Sequence, residues 1–301
     1  MDKNATVLFV DDEERILRSL KMLFRNRCQV LTATDGNVAL DLLRRQRVHV
    51  IVSDQRMPNM TGIELLRQVR AESPNTMRLL LTGYSDMAAV VDSVNEGEIF
   101  RYLTKPWNAE EIISAVSRAA GVAMALQDVQ VNEADTPSAP GVLVMDDDPT
   151  VAELVRSICG PARPVTWSMD LDEAFEILSN NDIAIVICDI RLRGRDISAA
   201  LKMLKETNPD VLTIVQTQLQ DVDVISNLIN HGQIYRYLPK PARRGILEMS
   251  LQSASRRHAA LRSAPALRKR YAVEANSAAQ VNGLSGRLMG YLEKMRQRVM
   301  L

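Results

Sequence analysis

Short apolar runs alternate with stretches of helical periodicity along most of the chain. In its first part the runs near 6–10, 29–33, 48–53, 77–82 and 100–104 have strand length and predict strands. Amphipathic stretches near 13–25, 35–45, 62–72 and 86–96, and one from 107 onward, predict the helices between them. The runs VHVIV (48–52), apolar but for His49, and IAIVI (183–187) do not alternate, as expected of a central strand covered on both faces. Such alternation predicts parallel strands joined by right-handed crossover helices, a five-stranded α/β sandwich.

The pattern occurs twice. VLFVDDEE (7–14) is answered by VLVMDDDP (142–149), VHVIVSDQR (48–56) by IAIVICDIR (183–191), and EGEIFRYLTKP (96–106) by HGQIYRYLPKP (231–241). Each pair is offset by 135 residues, so the two copies contain no insertion between these anchors. The expected organisation is a first domain at 1–127, a linker at 128–140, a second domain at 141–262 and a tail at 263–301. The segment VNEADTPSAPG (131–141), which is small, polar and proline-containing, marks the linker and ends at the first residue of the second domain.

In a doubly wound sheet the reactive site lies beyond the carboxyl ends of the strands, where strand order reverses. The notable residues fall there: Asp11 and Asp12 after the first strand, Asp54 after the third, Thr82 after the fourth and Lys105 after the fifth. Their counterparts are Asp146, Asp147, Asp189, Thr217 and Lys240. One aspartate after a strand ordinarily caps a helix or a turn; five elements in order, twice, do not reduce to that. Three converging acids repel unless a cation joins them, and oxygen ligands suit a hard divalent ion such as Mg²⁺. A site holding that ion, an amine and a hydroxyl suits a phosphoryl group, whose dispersed charge needs cations and donors.

The order DD, D, T, KP resembles the receiver domain of two-component response regulators, over about 6–127 and 141–262. The resemblance implies two tandem flavodoxin-like (βα)5 receiver domains, each with a parallel five-stranded sheet, followed by a helical tail. It implies that Asp54 accepts a phosphoryl group, that Asp11 and Asp12 with Asp54 hold Mg²⁺, and that Lys105 and Thr82 contact the phosphate. Tyr102, and Tyr237 in the second copy, match an aromatic that such domains rotate between exposed and buried positions. Phosphorylation would then repack the face at about 86–120, to be read in dimerisation or partner capture.

The second copy keeps the set Asp146, Asp147, Asp189, Thr217, Lys240, yet differs around it. Gln218 replaces the small Gly83, and DIRLRGRD (189–196) replaces DQRMPNMT, losing the loop proline and adding arginines. Either Asp189 also accepts phosphate, or this copy is a degenerate, partner-binding receiver, with Gln218 at the pocket mouth as the reason for doubt. Cys188 should face away from the site as a core residue.

Composition adds limits. Apolar residues at 46% and charged residues at 25% fit a soluble globular protein, and no apolar run approaches the roughly 18 residues of a membrane span. Three widely spaced cysteines make neither a disulfide framework nor a zinc site, and His49, His231 and His258 lack partners at ligand spacing. A cytoplasmic location is expected. Net charge is zero, but from Arg243 onward twelve Lys/Arg face three acids, a balance of +9. Leu284, Leu288, Tyr291, Leu292, Met295 and Val299 form one stripe of an amphipathic helix. That tail could self-associate, bind nucleic acid or an anionic surface through its arginines, or fold back on its own acidic domains.

The expected function is a phosphorelay response regulator, phosphorylated by a histidine kinase or phosphotransfer protein. It signals to a downstream protein partner or by homodimerisation, without membrane contact, and is not an enzyme beyond self-phosphotransfer and autodephosphorylation. No DNA-binding or catalytic output module is recognised up to Leu301, though one could lie beyond it. The alternatives are a nucleic-acid-binding regulator using the basic tail, or a scaffold whose receivers do not cycle.

Overall fold

A computed structural model describes residues 3–83, 99–126, 140–218, 228–232, 234–263, 268, 290–295 and 297. The chain forms two compact units, one of residues 1–129 with 222–230 and the other of 130–221 with 231–301. The expected helix at 86–96 and most of the expected linker lie outside the described residues.

In the first unit the order is β1 (Thr6–Val10), α1 (Glu14–Phe24), β2 (Gln29–Ala33), α2 (Gly36–Arg45), β3 (Val50–Asp54), α3 (Gly62–Glu72), β4 (Met77–Gly83), β5 (Arg101–Lys105) and α4 (Ala109–Ala125). The strands are parallel in the order β2-β1-β3-β4-β5. Val7, Leu8 and Phe9 of β1 and Val50, Ile51 and Val52 of β3 are fully buried, which is why these runs do not alternate. Helix entries are set by side chains: Asp35 accepts from the amides of Asn37 and Val38, Thr61 and Glu64 form a reciprocal capping box, and Asn108 caps α4. Glu13, at the N-cap position of α1, makes no side-chain cap, and its amide is instead held by Asp11 at 2.9 Å. β1 lies between β2 and β3, so the topological switch point falls at its carboxyl end, where Asp11 stands.

The second unit repeats this: β6 (Gly141–Met145), α5 (Pro149–Cys159), β7 (Val165–Ser168), α6 (Leu171–Asn180), β8 (Ile183–Cys188), a hairpin of β9 (Arg191–Leu192) and β10 (Arg195–Asp196), α7 (Ser198–Thr207), β11 (Leu212–Thr217), β12 (Arg236–Pro239) and α8 (Arg244–Ser263). The five-stranded sheet is parallel in the order β12-β11-β8-β6-β7, the same topology. Helices α1 and α5, and α2 and α6, correspond end to end at the 135-residue offset. The hairpin is an addition the repeat did not announce. Cys188 is fully buried, as expected of a core residue.

Residues 290–295 are helical, with Leu292 and Met295 buried. The Tyr291 hydroxyl donates to Glu176 Oε2 at 3.3 Å, Lys294 Nζ donates to Asn180 Oδ1 at 2.6 Å, and Arg268 pairs with Asp210 at 2.7 Å. The described part of the tail therefore folds back on the second unit; Leu284, Leu288 and Val299 lie outside the described residues. No helix among the described residues is long and apolar enough to cross a membrane.

Lys205 of α7 is buried and donates to the carbonyls of Pro209 (2.7 Å) and Val211 (2.8 Å). Burial pulls its pKa down from 10.5 to about 7, against the attraction of Asp210. The unfolded chain therefore binds this proton more tightly than the folded one. Stability of the second unit is expected to rise as pH climbs from about 7 through 10.5, and thermal melts should lose that rise in Lys205→Met.

Candidate functional site

The carboxyl ends of β1, β3 and β5 bring two acids and an amine together. Lys105 Nζ lies 2.9 Å from Asp11 Oδ2 and 2.5 Å from Asp54 Oδ1. Asp11 is 1% exposed and Asp54 6%. The other oxygen of each carboxylate takes a backbone amide, Glu13 N to Asp11 Oδ1 at 2.9 Å and Arg56 N to Asp54 Oδ2 at 3.0 Å. Asp12 follows on the chain and is exposed. Thr82, the last residue of β4 before Gly83, is buried, and its hydroxyl donates to the Gly83 carbonyl at 3.3 Å. Tyr102 and Tyr237 are both buried, the inward of the two expected positions.

The charges balance imperfectly. Burial raises the Asp54 carboxyl above its ordinary value; hydrogen bonding and attraction from Lys105 offset part of this, and Asp11 adds to it. Burial pulls the Lys105 amine down, but its bonds to Asp54 and Asp11 outweigh this and hold it above its usual range. An ammonium shared by two buried carboxylates leaves a net negative pocket that favours a further cation.

Gly62 explains how Asp54 is held in place. A Cβ at this position would stand 2.1 Å from the Asp54 carbonyl oxygen, while the Gly62 amide donates to Gln55 O at 3.1 Å. The start of α3 therefore rests directly on the backbone of β3 at Asp54. Gly62→Ala must push the two apart, and is expected to lower stability of the first unit by about 1–3 kcal/mol, measured by denaturant unfolding.

The second unit reproduces the pair and departs at the third acid. Lys240 Nζ lies 2.6 Å from Asp146 Oδ2 and 2.7 Å from Asp189 Oδ2. Burial raises the Asp146 carboxyl, and Lys240 and the Asp148 amide oppose the shift. Asp189 Oδ1 accepts from the Arg191 amide at 3.2 Å. Thr217 is buried on β11. The Arg193 amide lies 2.9 Å and 2.8 Å from the two oxygens of Asp147. Gln218, expected at the pocket mouth, is exposed. Trp167 donates its indole N–H to the Asp146 carbonyl at 2.8 Å, a link to the site that its residue type did not announce. The glycine in RLRGRD was the available sign of the hairpin; nothing in the residue types announced which amide would meet Asp147.

The donor chemistry of the first site fits Mg²⁺. The groups it offers are carboxylate oxygens, and Lys105 shows where they demand positive charge. The expected convergence of three acids is reached for two: among the described residues no group of three or more His, Cys, Asp or Glu is arranged to hold a metal ion. Asp11 and Asp54 share one lysine while Asp12 stands exposed beside them; in the second unit Asp146 and Asp189 share Lys240 while Asp147 is held by the Arg193 amide.

The family model for the response regulator receiver domain matches residues 7–117 and again 142–252. The chain is 42% identical over 118 residues to the hydrogenase transcriptional regulatory protein HoxA of Cupriavidus necator, covering 39% of this chain and 24% of that protein. It is 33% identical over 148 residues to the probable transcriptional regulatory protein TcrX of Mycobacterium tuberculosis, covering 48% of this chain and 60% of the relative. It thus spans about a quarter of HoxA's length. Among solved structures, the signal receiver domain of an HD domain-containing protein from Pseudomonas fluorescens Pf-5 is 35% identical, with a TM-score of 0.39, covering 40% of this chain and 98% of that one. The two matched regions coincide with the two sheets and hold both lysine-bridged acid pairs, so the chain belongs to the response regulator receiver family and carries that domain twice.

Proposed function

We propose that the first receiver accepts a phosphoryl group on Asp54 from a histidine kinase or phosphotransfer protein, and that the chain signals through protein contacts that this modification changes. The observation that carries the proposal is the Lys105 ammonium bridging Asp11 and Asp54 at the switch point of the sheet. A carboxylate oxygen of Asp54 attacks phosphorus; the new P–O bond forms as the bond to the donor's imidazole nitrogen breaks, and that nitrogen keeps the electron pair. Mg²⁺, when bound by Asp11, Asp12 and Asp54, would neutralise charge on the phosphoryl oxygens. Lys105, released from sharing Asp54's charge, pairs with a phosphoryl oxygen, and the Thr82 hydroxyl exchanges its bond to Gly83 O for one to phosphate. The modification adds roughly one negative charge and new acceptor oxygens at Asp54.

The chain acts on no separate substrate in this reading; its chemistry is acceptance and loss of phosphate on its own aspartate, in the cytoplasm. Relatives named as transcriptional regulators raise a nucleic-acid output through the basic tail. Leu292 and Met295 are buried against the second unit, which favours a tail packed on its own chain over one free to act as the output. Incubating the full chain with Mg²⁺ and a small phosphodonor or beryllofluoride, followed by intact mass and sizing, tests the proposal. A chain that neither gains phosphate nor changes its assembly or partner binding would overturn it. Salt-dependent DNA binding lost on deleting 263–301 would favour the nucleic-acid reading.

A further inference from the structure

The two receivers share fold, acid pair and lysine, and differ in what holds the third acid. We infer that the loop after β8 withholds Asp147 from Mg²⁺ through the backbone amide of Arg193, so that the metal, and with it phosphoryl acceptance, is directed to the first receiver. This rests on the proposed reading of Asp54 as the acceptor.

The amide of Arg193 approaches both oxygens of Asp147, at 2.9 and 2.8 Å, and so occupies either atom through which this side chain could reach an ion. A hydrogen bond from an amide to a carboxylate is among the stronger ones. The donor is presented by a specific turn. Arg193 (φ +50°) and Gly194 (φ +74°) are the two connecting residues of the β9–β10 hairpin, both left-handed, as a type I′ turn requires. At the 135-residue offset Arg193 corresponds to Pro58, which has no N–H to offer and cannot adopt a positive φ. In the first receiver the corresponding position therefore offers Asp12 no amide.

The neighbouring position explains why the loops diverge. Gly62 corresponds to Ile197, and the first receiver has no room even for a Cβ there, 2.1 Å from the acceptor's carbonyl oxygen. With isoleucine in that place the approach to α7 must take another path, and the hairpin is that path. Ile197 still donates to Ile190 O at 2.9 Å, as Gly62 does to Gln55 O, so the change is confined to the segment between.

The chain has two tryptophans, one per receiver: Trp107 follows Lys105 by two residues, and Trp167 is bonded to the Asp146 carbonyl. Full-length protein with ¹⁵N-labelled tryptophan is titrated with Mg²⁺ and both indole signals are followed. The expected result is a midpoint for Trp167 at least roughly tenfold above that for Trp107. Arg193→Pro removes the donor and breaks the turn, and should lower the Trp167 midpoint by roughly tenfold without moving Trp107. Arg193→Ala keeps the amide and should leave both midpoints in place. Equal midpoints in the natural chain, no shift in Arg193→Pro, or an equal shift in Arg193→Ala would each overturn the inference. Hydrogen exchange at the Arg193 amide provides a second measurement that needs no metal: it should be roughly tenfold slower than in Asp147→Ala, and equal rates would also overturn it. If Trp107 ignores Mg²⁺ in every chain, the metal reading of the first receiver fails, while the exchange rates still decide the capture of Asp147.

Discussion

Asp54→Asn is expected to abolish phosphoryl acceptance, reducing labelling by a small phosphodonor roughly 100-fold or more, while Asp189→Asn labels like the natural chain. Asparagine keeps the shape of the side chain but replaces the nucleophilic carboxylate with a neutral amide. It leaves Lys105 paired with Asp11 at 2.9 Å, so the pocket keeps one of its two bridges. Loss of labelling through misfolding can be distinguished by stability, because the same variant should melt higher. The Asp54 carboxyl is raised by burial and by Asp11, so the folded state binds its proton more tightly than the unfolded one. The stability this group contributes is present at low pH and is lost as pH rises through the folded value, which makes the ionised group a burden near neutrality. Removing the charge should therefore raise the melting temperature at pH 7. Proteolytic mapping of the phosphorylated chain checks the assignment: label on Asp189, or undiminished label in Asp54→Asn, would refute it.

Lys105→Met should have the largest effect on stability, about 3 kcal/mol at pH 7. It leaves Asp11 and Asp54 buried beside one another without a cation. The deficit should depend on pH in a defined direction. Without the ammonium, the Asp54 carboxyl is pushed further above its unfolded value near 3.8. The variant therefore regains stability as pH falls through that raised value. The natural chain behaves oppositely at high pH: the Lys105 pKa is raised above 10.5, so the stability it supplies is present below 10.5 and lost as pH rises through the folded value. Mg²⁺ supplies a replacement charge and should raise the melting temperature of Lys105→Met more than that of the natural chain. Melts at several pH values with and without Mg²⁺ measure all of this; a deficit that neither acid nor Mg²⁺ narrows would mean that the lysine acts only through packing.

The asymmetry between receivers concerns one donor, and it shows how far residue types carry. Asp146, Asp189 and Lys240 repeat the geometry of Asp11, Asp54 and Lys105 because each sits at the end of a strand whose register is enforced by buried neighbours. These strands are buried on both faces, so the apolar run itself marks where each strand lies and the polar residue that follows marks its end. The loops carry no such constraint. Gln218 looks obstructive by size, yet it is exposed, while the group that meets Asp147 is an amide of the kind every residue except proline carries. The tail likewise left three readings open, because a stripe such as Leu292 and Met295 states that it needs cover and not what covers it.

Sequence alone determined the doubled five-stranded fold, the 135-residue correspondence and the strand-end positions of acid, hydroxyl and amine. All of these follow from local periodicity and from burial along individual strands. Only the tertiary structure decided that Asp11 and Asp54 share one lysine while Asp12 stands apart, that the Arg193 amide holds Asp147, and that Leu292 and Met295 are buried against the second unit. The physical reason is that these outcomes depend on loop dihedrals and on contacts between residues distant in the chain. Residue identity constrains such features only where, as at Pro58 and Gly62, it removes a donor or a Cβ altogether.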